Sequence, residues 1–218
     1  MGTGRFLRAT RLRCVKKPQV EPDSVFLNVP YDKKFTNIYL AYLSGLVSLG
    51  LNPKATLAIP GGVTRLDRIF ALIQSCRYSL HDLSRVELDR TYPPTPRFNM
   101  PMELGMAVAW AKLNPKEHTW FVFESQERRA QKSISDLNGT DCNIHGGTEE
   151  GVMRELCNAF VRRKRRVTVP EMLAVHRELK KQVPDLTRRS GAASVFESRI
   201  FDDLLFAATD LRDVMLLA

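Results

Sequence analysis

Glu103 is the residue whose type and predicted position best suit chemistry at a sugar carbon. It stands within Arg97-Phe-Asn-Met-Pro-Met-Glu103-Leu-Gly-Met-Ala107, and we predict a helix over residues 102–113. Breaking an N-glycosidic bond passes through an oxocarbenium-like centre, which one carboxylate close to the sugar C1 can stabilise or attack. A glutamate in the first helical turn is expected to stay ionised, because the helix dipole favours an anion there. The same position also fits a purely structural role, in which Glu103 only complements the dipole.

Asp82 is the second catalytic candidate, since it lies near the end of a predicted buried strand over residues 77–83. Its carboxylate could hydrogen-bond a ribose hydroxyl or a base, or act as an acid toward the leaving base. Capping the turn that follows is an equally good explanation for an aspartate followed by Leu83 and Ser84.

Polar loop residues around these carboxylates are candidates for binding a nucleotide. Backbone amides at Gly61 and Gly62 could cradle a phosphate with help from Arg65, although a proline followed by two glycines is also typical of a simple turn. Asn99 could orient a sugar hydroxyl or serve as an N-cap. The loop over 136–141 either closes over a ligand or forms an Asn-Gly turn. The residues that we predict to bind substrate are Tyr31 (as a stacking wall), Asp32, Gly61, Gly62, Ser84, Arg97, Asn99, Asn138 and Asp141.

Neither a metal site nor a disulfide framework is expected. Cys142 and His145 have the spacing of half a zinc site, but the sequence holds no second half with ligand spacing. The four cysteines stand far apart without paired spacing. We therefore expect reduced thiols and a cytoplasmic protein.

Alternating strands and helices are predicted to position these residues. Short apolar runs predict strands, whereas apolar residues three and four apart predict helices. The strands are expected at 24–30, 54–59, 77–83 and 118–124, with a fifth short extended segment within 134–147; the helices are expected at 35–49, 64–76, 102–113, 125–132 and 149–163, the last leaving the body of the protein. Such alternation predicts a parallel sheet covered on both faces, with ligands bound beyond the carboxyl ends of the strands.

The chain divides into three predicted parts: a basic arm over 1–20, an α/β domain over 21–163 and a helical extension over 164–218. The extension is expected to contain a helix at 170–183, a break at 185–191 and an acidic, apolar-striped helix at 194–217. Leu204, Phe206 and their neighbours are too apolar for a solvated tail. They either dock on the body or form a surface for a partner.

Composition and charge narrow the classes of function. The 218 residues are 44% hydrophobic and 26% charged, which excludes a disordered chain, and no apolar run is long enough to span a membrane. The net charge of +9 is concentrated in two places, with six bases and no acid in 1–17 and ten bases against three acids in 160–189. Because no pattern of aromatic residues is interleaved with these bases, we interpret the two segments as solvated surfaces rather than as a nucleic-acid interface.

Two motifs, in this order, resemble the nucleoside 2-deoxyribosyltransferase-like and TIR-like superfamily. They are Ser75-Cys-Arg-Tyr-Ser-Leu-His-Asp82-Leu-Ser84 and the stretch from Arg97 to Ala107, and the resemblance covers about 24–160. It implies a flavodoxin-like parallel five-stranded sheet with helices on both faces, an aspartate after the third strand and a catalytic glutamate at Glu103. It implies no cofactor, with NAD or a related nucleotide as substrate or ligand. The long, Pro- and Arg-rich segment 85–101 departs from a compact deoxyribosyltransferase and favours a phosphate-bearing ligand.

We therefore expect cleavage or transfer at the N-glycosidic bond of a nucleotide, most of all NAD, with Glu103 and Asp82 as catalytic residues. The alternative is a non-catalytic, nucleotide-sensing TIR-like module that signals or assembles through 164–218. The expected partners are a nucleotide and either a second copy of the chain or another protein; nucleic acid is less favoured, and no membrane is expected. A role in antiviral defence is implied only by the resemblance.

Overall fold

Five parallel strands form one sheet in the computed structural model, which describes residues 19–58, 64–161 and 166–216. The strand order is β2–β1–β3–β4–β5. This is the flavodoxin-like order, as predicted, and it reverses direction between β1 and β3. The strands are β1 (Glu21–Asn28), β2 (Asn52–Lys54), β3 (Cys76–Asp82), β4 (Thr119–Glu124) and β5 (Cys142–Ile144).

Helices cover both faces of this sheet because successive strand residues point to opposite sides. Val25 and Leu27 pack under one group of helices, whereas Phe26 packs under the other. The first group contains α1 (Thr36–Ser48) and α5 (Glu149–Ala159); the second contains α2 (Arg65–Ser75), α3 (Asn99–Leu113) and α4 (Arg129–Ser133). Short 3₁₀ turns lie at Lys33–Phe35, Thr56–Ala58 and Ser135–Leu137.

The C-terminal helices dock on the body of the protein. They are α6 (Val169–Ser190) and α7 (Ser198–Leu216), and both pack against α1. Buried Met172, Phe201 and Leu204 belong to the same core cluster as the apolar residues of α1 and α5. Helix α1 is consequently covered on all sides, with 11 of its 13 residues buried. Phe206, in contrast, stays 77% exposed on the outer face of α7.

Two predicted boundaries in the first half of the chain are wrong. The strand expected at 54–59 is the shorter β2, because pairing with β1 ends at Lys54 and a 3₁₀ turn begins at Thr56. The helix expected from residue 102 begins instead at Asn99. Pro101 is accepted in its first turn, where a backbone N–H would have no intrahelical acceptor.

Two predictions about the second half are also wrong. Helix α5 does not leave the body: it buries Val152, Met153 and Leu156 against α1. The break expected at 185–191 is wrong, since α6 continues through Pro184 to Ser190. Gly191 caps the helix with a φ of 63°, the left-handed conformation that glycine adopts readily. Residues 1–18 of the predicted basic arm and residues 162–165 lie outside the described residues. Among the described helices, each is too short or too polar to cross a membrane.

Candidate functional site

A cavity of about 210 Å³ lies at the carboxyl edge of the sheet, between the end of β1 and the start of α3. This is the point where the strand order reverses, which is where open α/β sheets bind their ligands. Val29 and Met100 supply apolar wall. The polar lining consists of Asn28, Tyr31, Thr56, Arg65, Arg97, Asn99 and Glu103. The structure thus brings together four of the predicted site residues, namely Tyr31, Arg97, Asn99 and Glu103.

Glu103 is 5% exposed, and no described residue forms a hydrogen bond or an ion pair with its carboxylate. Burial raises the pKa of Glu103 to about 7, although the nearby charge of Arg65 lowers it. The expectation that the helix dipole keeps this group ionised is therefore wrong. Glu103 is the fifth residue of α3, beyond the first turn, and the loss of solvation dominates there.

The start of α3 leaves Asn99 available to a ligand. The N-cap position belongs to Phe98, which makes no side-chain capping bond, and Asn99 is the first helical residue. An N-cap role for Asn99 is therefore wrong, and its exposed side chain lines the cavity instead.

Asn28, at the end of β1, is a cavity residue that the sequence analysis missed. Its Nδ2 donates one hydrogen bond to the Met100 carbonyl oxygen (3.1 Å) and one to His81 Nδ1 (2.9 Å). Since both amide protons are used, Oδ1 is the amide atom left to form a hydrogen bond with a ligand. A polar residue within the apolar run Val25–Val29 was the signal that could have identified it.

A buried chain of hydrogen bonds fixes this orientation of Asn28. His81 accepts at Nδ1, so its proton is on Nε2, which donates to Ser79 Oγ (2.9 Å). Ser79 in turn donates to His118 Nε2 (2.9 Å), and His118 Nδ1 donates to the Cys76 carbonyl oxygen (2.9 Å). Burial lowers the pKa of His81 to about 3, so its Nδ1 remains an acceptor at neutral pH.

Tyr31 forms one wall of the cavity and is supported from behind by the C-terminal part of the chain. Its ring lies edge-on to Tyr39, with centroids 6.2 Å apart, and 5.8 Å from the ring of Phe196. Phe196 belongs to the segment between α6 and α7. Burial also raises the pKa of Tyr31, so its hydroxyl stays protonated.

Asp82 does not reach this cavity. It points to the opposite face of the sheet, where it is fully buried and accepts hydrogen bonds from Tyr42 Oη (2.7 Å) and Ser84 N (2.8 Å). His145 Nε2 lies 3.1 Å from Asp82 Oδ2. His145 Nδ1 accepts from Gly147 N, so the proton is on Nε2 and points toward Asp82. The catalytic role of Asp82 stays a prediction that this placement does not support.

The remaining predicted residues lie apart from Glu103. Ser84 belongs to the Asp82 cluster. Asp32 caps the 3₁₀ turn that follows it and pairs with Arg85, at 2.9 Å from Nε to Oδ2. Asn138 and Asp141 are exposed and do not line the cavity that the described residues form. Gly61 and Gly62 lie outside the described residues.

No arrangement for a metal ion was found among the described residues. Cys142 and His145 are not part of one site, because His145 is engaged with Asp82 while the Cys142 thiol contacts Gln131.

One carboxyl group with a pKa near neutrality, flanked by an oriented amide and two exposed arginines, can stabilise positive charge that develops on a bound sugar. Comparison with known proteins identifies no relative: no family model, curated protein or solved structure matches the chain.

Proposed function

We propose that the chain cleaves the N-glycosidic bond of a nucleotide and passes the sugar to water or to an acceptor hydroxyl, with NAD as the favoured substrate. The observation that carries this proposal is Glu103, a nearly buried carboxyl group that lines a cavity and has no polar partner among the described residues. A buried ionisable group without a partner costs stability, and such groups concentrate at functional sites.

In the proposed reaction, the bond between the ribose C1 and the base nitrogen breaks, and its electron pair leaves with the base. Glu103 either stabilises the oxocarbenium-like centre or forms a bond to C1. A water or an acceptor hydroxyl then bonds to C1 and loses its proton. Where Glu103 has bonded to C1, that bond breaks in the same step and its electron pair returns to the carboxylate. With water, the products from NAD are nicotinamide, ADP-ribose and a proton.

Glu103 is the single carboxyl group among the described residues that line the cavity, and this favours NAD over a neutral nucleoside. A neutral base leaves readily only when an acid protonates it, and Asp82, the acid expected for that step, faces the other side of the sheet. The nicotinamide of NAD carries a positive charge and leaves as a neutral molecule without protonation. Its charge also stabilises the ionised form of a carboxyl group placed beneath it.

The other polar groups of the cavity suit the rest of the nucleotide. Asn28 presents a fixed acceptor oxygen, which can receive a hydrogen bond from a ribose hydroxyl. Arg65 and Arg97 are exposed where phosphates would lie. At about 210 Å³, the cavity is below the usual range for whole small-molecule ligands, so it suits the reacting sugar alone.

Product analysis after incubation with NAD tests the proposal. Wild-type protein at high concentration, which allows for assembly of copies, is expected to release nicotinamide, and Glu103→Gln is expected to release almost none. Lys112→Gln, on the far end of the same helix, is the matched control and should cleave as wild type does. Equal nicotinamide release by wild type and Glu103→Gln would contradict the proposal.

A second candidate function is nucleotide sensing without catalysis, as the sequence analysis already allowed. The contact between Tyr31 and Phe196 favours it, because the cavity wall rests on the segment that joins α6 and α7. A ligand that moves Tyr31 would act directly on these helices. NAD that raises the melting temperature without nicotinamide release would favour sensing over cleavage.

A further inference from the structure

A second cavity, of about 310 Å³, lies next to the Glu103 cavity and is mainly apolar. It is formed between the segment 85–98 and α4, and its apolar wall includes Leu83, Val86, Phe98 and Ile134. Phe98, which directly precedes α3 and lines this cavity, is 67% exposed. Its ring is therefore available to a flat ligand at the mouth of this cavity.

The two cavities share two residues, Arg97 and Met100. Arg97 is exposed, and no acidic side chain among the described residues lies within ion-pair distance of its guanidinium group. A free cation placed between two cavities is suited to an anion that links the two halves of one ligand. A diphosphate is such a link, and arginine binds phosphate oxygens with paired donors.

Apart from Arg97, the charged side chains that line the second cavity are already paired, which favours a neutral occupant. Glu124 lines it, but the Glu124 carboxylate accepts hydrogen bonds from Ser125 N (2.6 Å) and Arg129 Nε (3.1 Å). Arg85 lines it as well and is paired with Asp32 and Glu87. With these charges already compensated, the apolar walls suit an uncharged aromatic heterocycle.

We propose that the second cavity binds the distal base of a dinucleotide whose reacting ribose lies at Glu103 and whose diphosphate lies at Arg97. The substrate class is therefore a diphosphate-linked dinucleotide rather than a mononucleotide or a nucleoside. This inference rests on the proposed function for the identity of the reacting end. The cavity volume is at the low end of the range for small-molecule sites, which fits one base better than a peptide segment.

Calorimetric titration of Glu103→Gln with NAD, nicotinamide mononucleotide and AMP tests the proposal without turnover. We expect NAD to bind at least about tenfold more tightly than either half, because one diphosphate joins two sites. Adding Phe98→Ala is expected to weaken NAD and AMP about tenfold, the loss of one base–aromatic stack, and to leave nicotinamide mononucleotide unchanged. Phe206→Ala, at a phenylalanine of α7 that is 77% exposed, is the matched control and should change none of the three affinities.

A second variant distinguishes a lost binding contact from a local folding defect in Phe98→Ala. Val86→Trp adds bulk to the cavity wall and is expected to weaken NAD and AMP in the same way. The proposal is overturned if NAD binds no more tightly than nicotinamide mononucleotide, or if neither variant weakens AMP. The proposed function fails separately: wild-type protein that shows this binding pattern but releases no nicotinamide is a dinucleotide-binding protein, not a glycosidase. If wild type and Phe98→Ala each cleaved NAD and nicotinamide mononucleotide at the same rate, the proposed function would stand and the dinucleotide site would be wrong.

Discussion

Asp82 and Glu103 are both buried carboxyl groups at the carboxyl edge of one sheet, yet their surroundings differ completely. Asp82 faces α1 and α5, where Tyr42, Ser84 and His145 surround its two oxygens with donors. Glu103 faces a cavity, and no described residue donates to it. Burial is therefore common to a carboxyl group that donors satisfy and to the one that we propose to be catalytic, and hydrogen-bond satisfaction is what separates them.

The difference extends to the two faces of the sheet. On the Asp82 side, α1, α5, α6 and α7 form one continuous apolar core. On the Glu103 side, the apolar contacts are divided into two smaller clusters, with a buried chain of polar groups from Asn28 to His118. One face provides stability, and the other holds polar groups in fixed orientations next to an open cavity.

Replacing Asp82 is expected to give the largest change in stability. Asp82→Ala leaves the Tyr42 hydroxyl and the Ser84 amide without their acceptor and leaves His145 Nε2 with only Ser84 Oγ as a partner, so the free energy of unfolding should fall by about 4 kcal/mol. Urea denaturation measures the loss. Asp82→Asn, which retains one acceptor oxygen, should lose less. A loss below about 1 kcal/mol for Asp82→Ala would mean that the cluster is not structural.

Replacing Glu103 is expected to change stability in the opposite direction. Because burial raises the folded-state pKa from 4.5 to about 7, the folded protein binds the proton more tightly than the unfolded chain does. The resulting stability is fully present below pH 4.5 and is lost as the pH rises to about 7. Glu103→Gln removes this loss and should be more stable than wild type at pH 8 by about 3 kcal/mol. Urea denaturation at several pH values measures the difference, and a pH-independent difference would contradict the assignment.

The pH dependence of cleavage follows from the same pKa. Only ionised Glu103 can stabilise or attack the sugar cation, so kcat/KM for NAD should rise about tenfold per pH unit below the pKa and level off above about 7. Initial-rate measurements between pH 5 and 8 test this. A rate that falls with rising pH would instead indicate that Glu103 acts as an acid.

Phe196 tests the link between the cavity and the C-terminal helices, and its expected effect is the smallest. Phe196→Ala removes the ring that supports Tyr31 and Tyr39. We expect KM for NAD to rise about threefold, with little change in kcat, because a wall of the binding site loosens while Glu103 stays in place. Phe206→Ala is the matched control on the exposed face of α7. Equal KM values for Phe196→Ala and Phe206→Ala would show that the segment between α6 and α7 does not support the cavity wall.

Much of the fold could be predicted from the sequence, because the apolar patterns of strands and helices alternate clearly. The docking of α6 and α7 could not, since an apolar stripe does not say which surface covers it. The one hint was α1, whose apolar residues are distributed all round the helix rather than along one side.

The site was predicted only in part, for a reason of strand geometry. His81 and Asp82 are neighbours, so they point to opposite faces, and His81 is the one on the Glu103 side. The sequence placed Asp82 at the correct edge but could not show which face α3 covers. Glu103 was found through its motif, whereas its raised pKa depends on burial that only the packed structure provides.

Parallel rates of NAD cleavage by Asp82→Asn and Glu103→Gln show which of the two buried carboxyl groups takes part in the reaction. Both are measured per folded molecule, at a temperature where circular dichroism shows that each variant is folded. We expect Asp82→Asn to cleave NAD at a rate within about fivefold of wild type, whereas the rate of Glu103→Gln should fall by at least about a hundredfold. If Glu103→Gln cleaved NAD as fast as wild type, or if Asp82→Asn lost as much as Glu103→Gln, the division between a structural and a functional carboxyl group would be wrong.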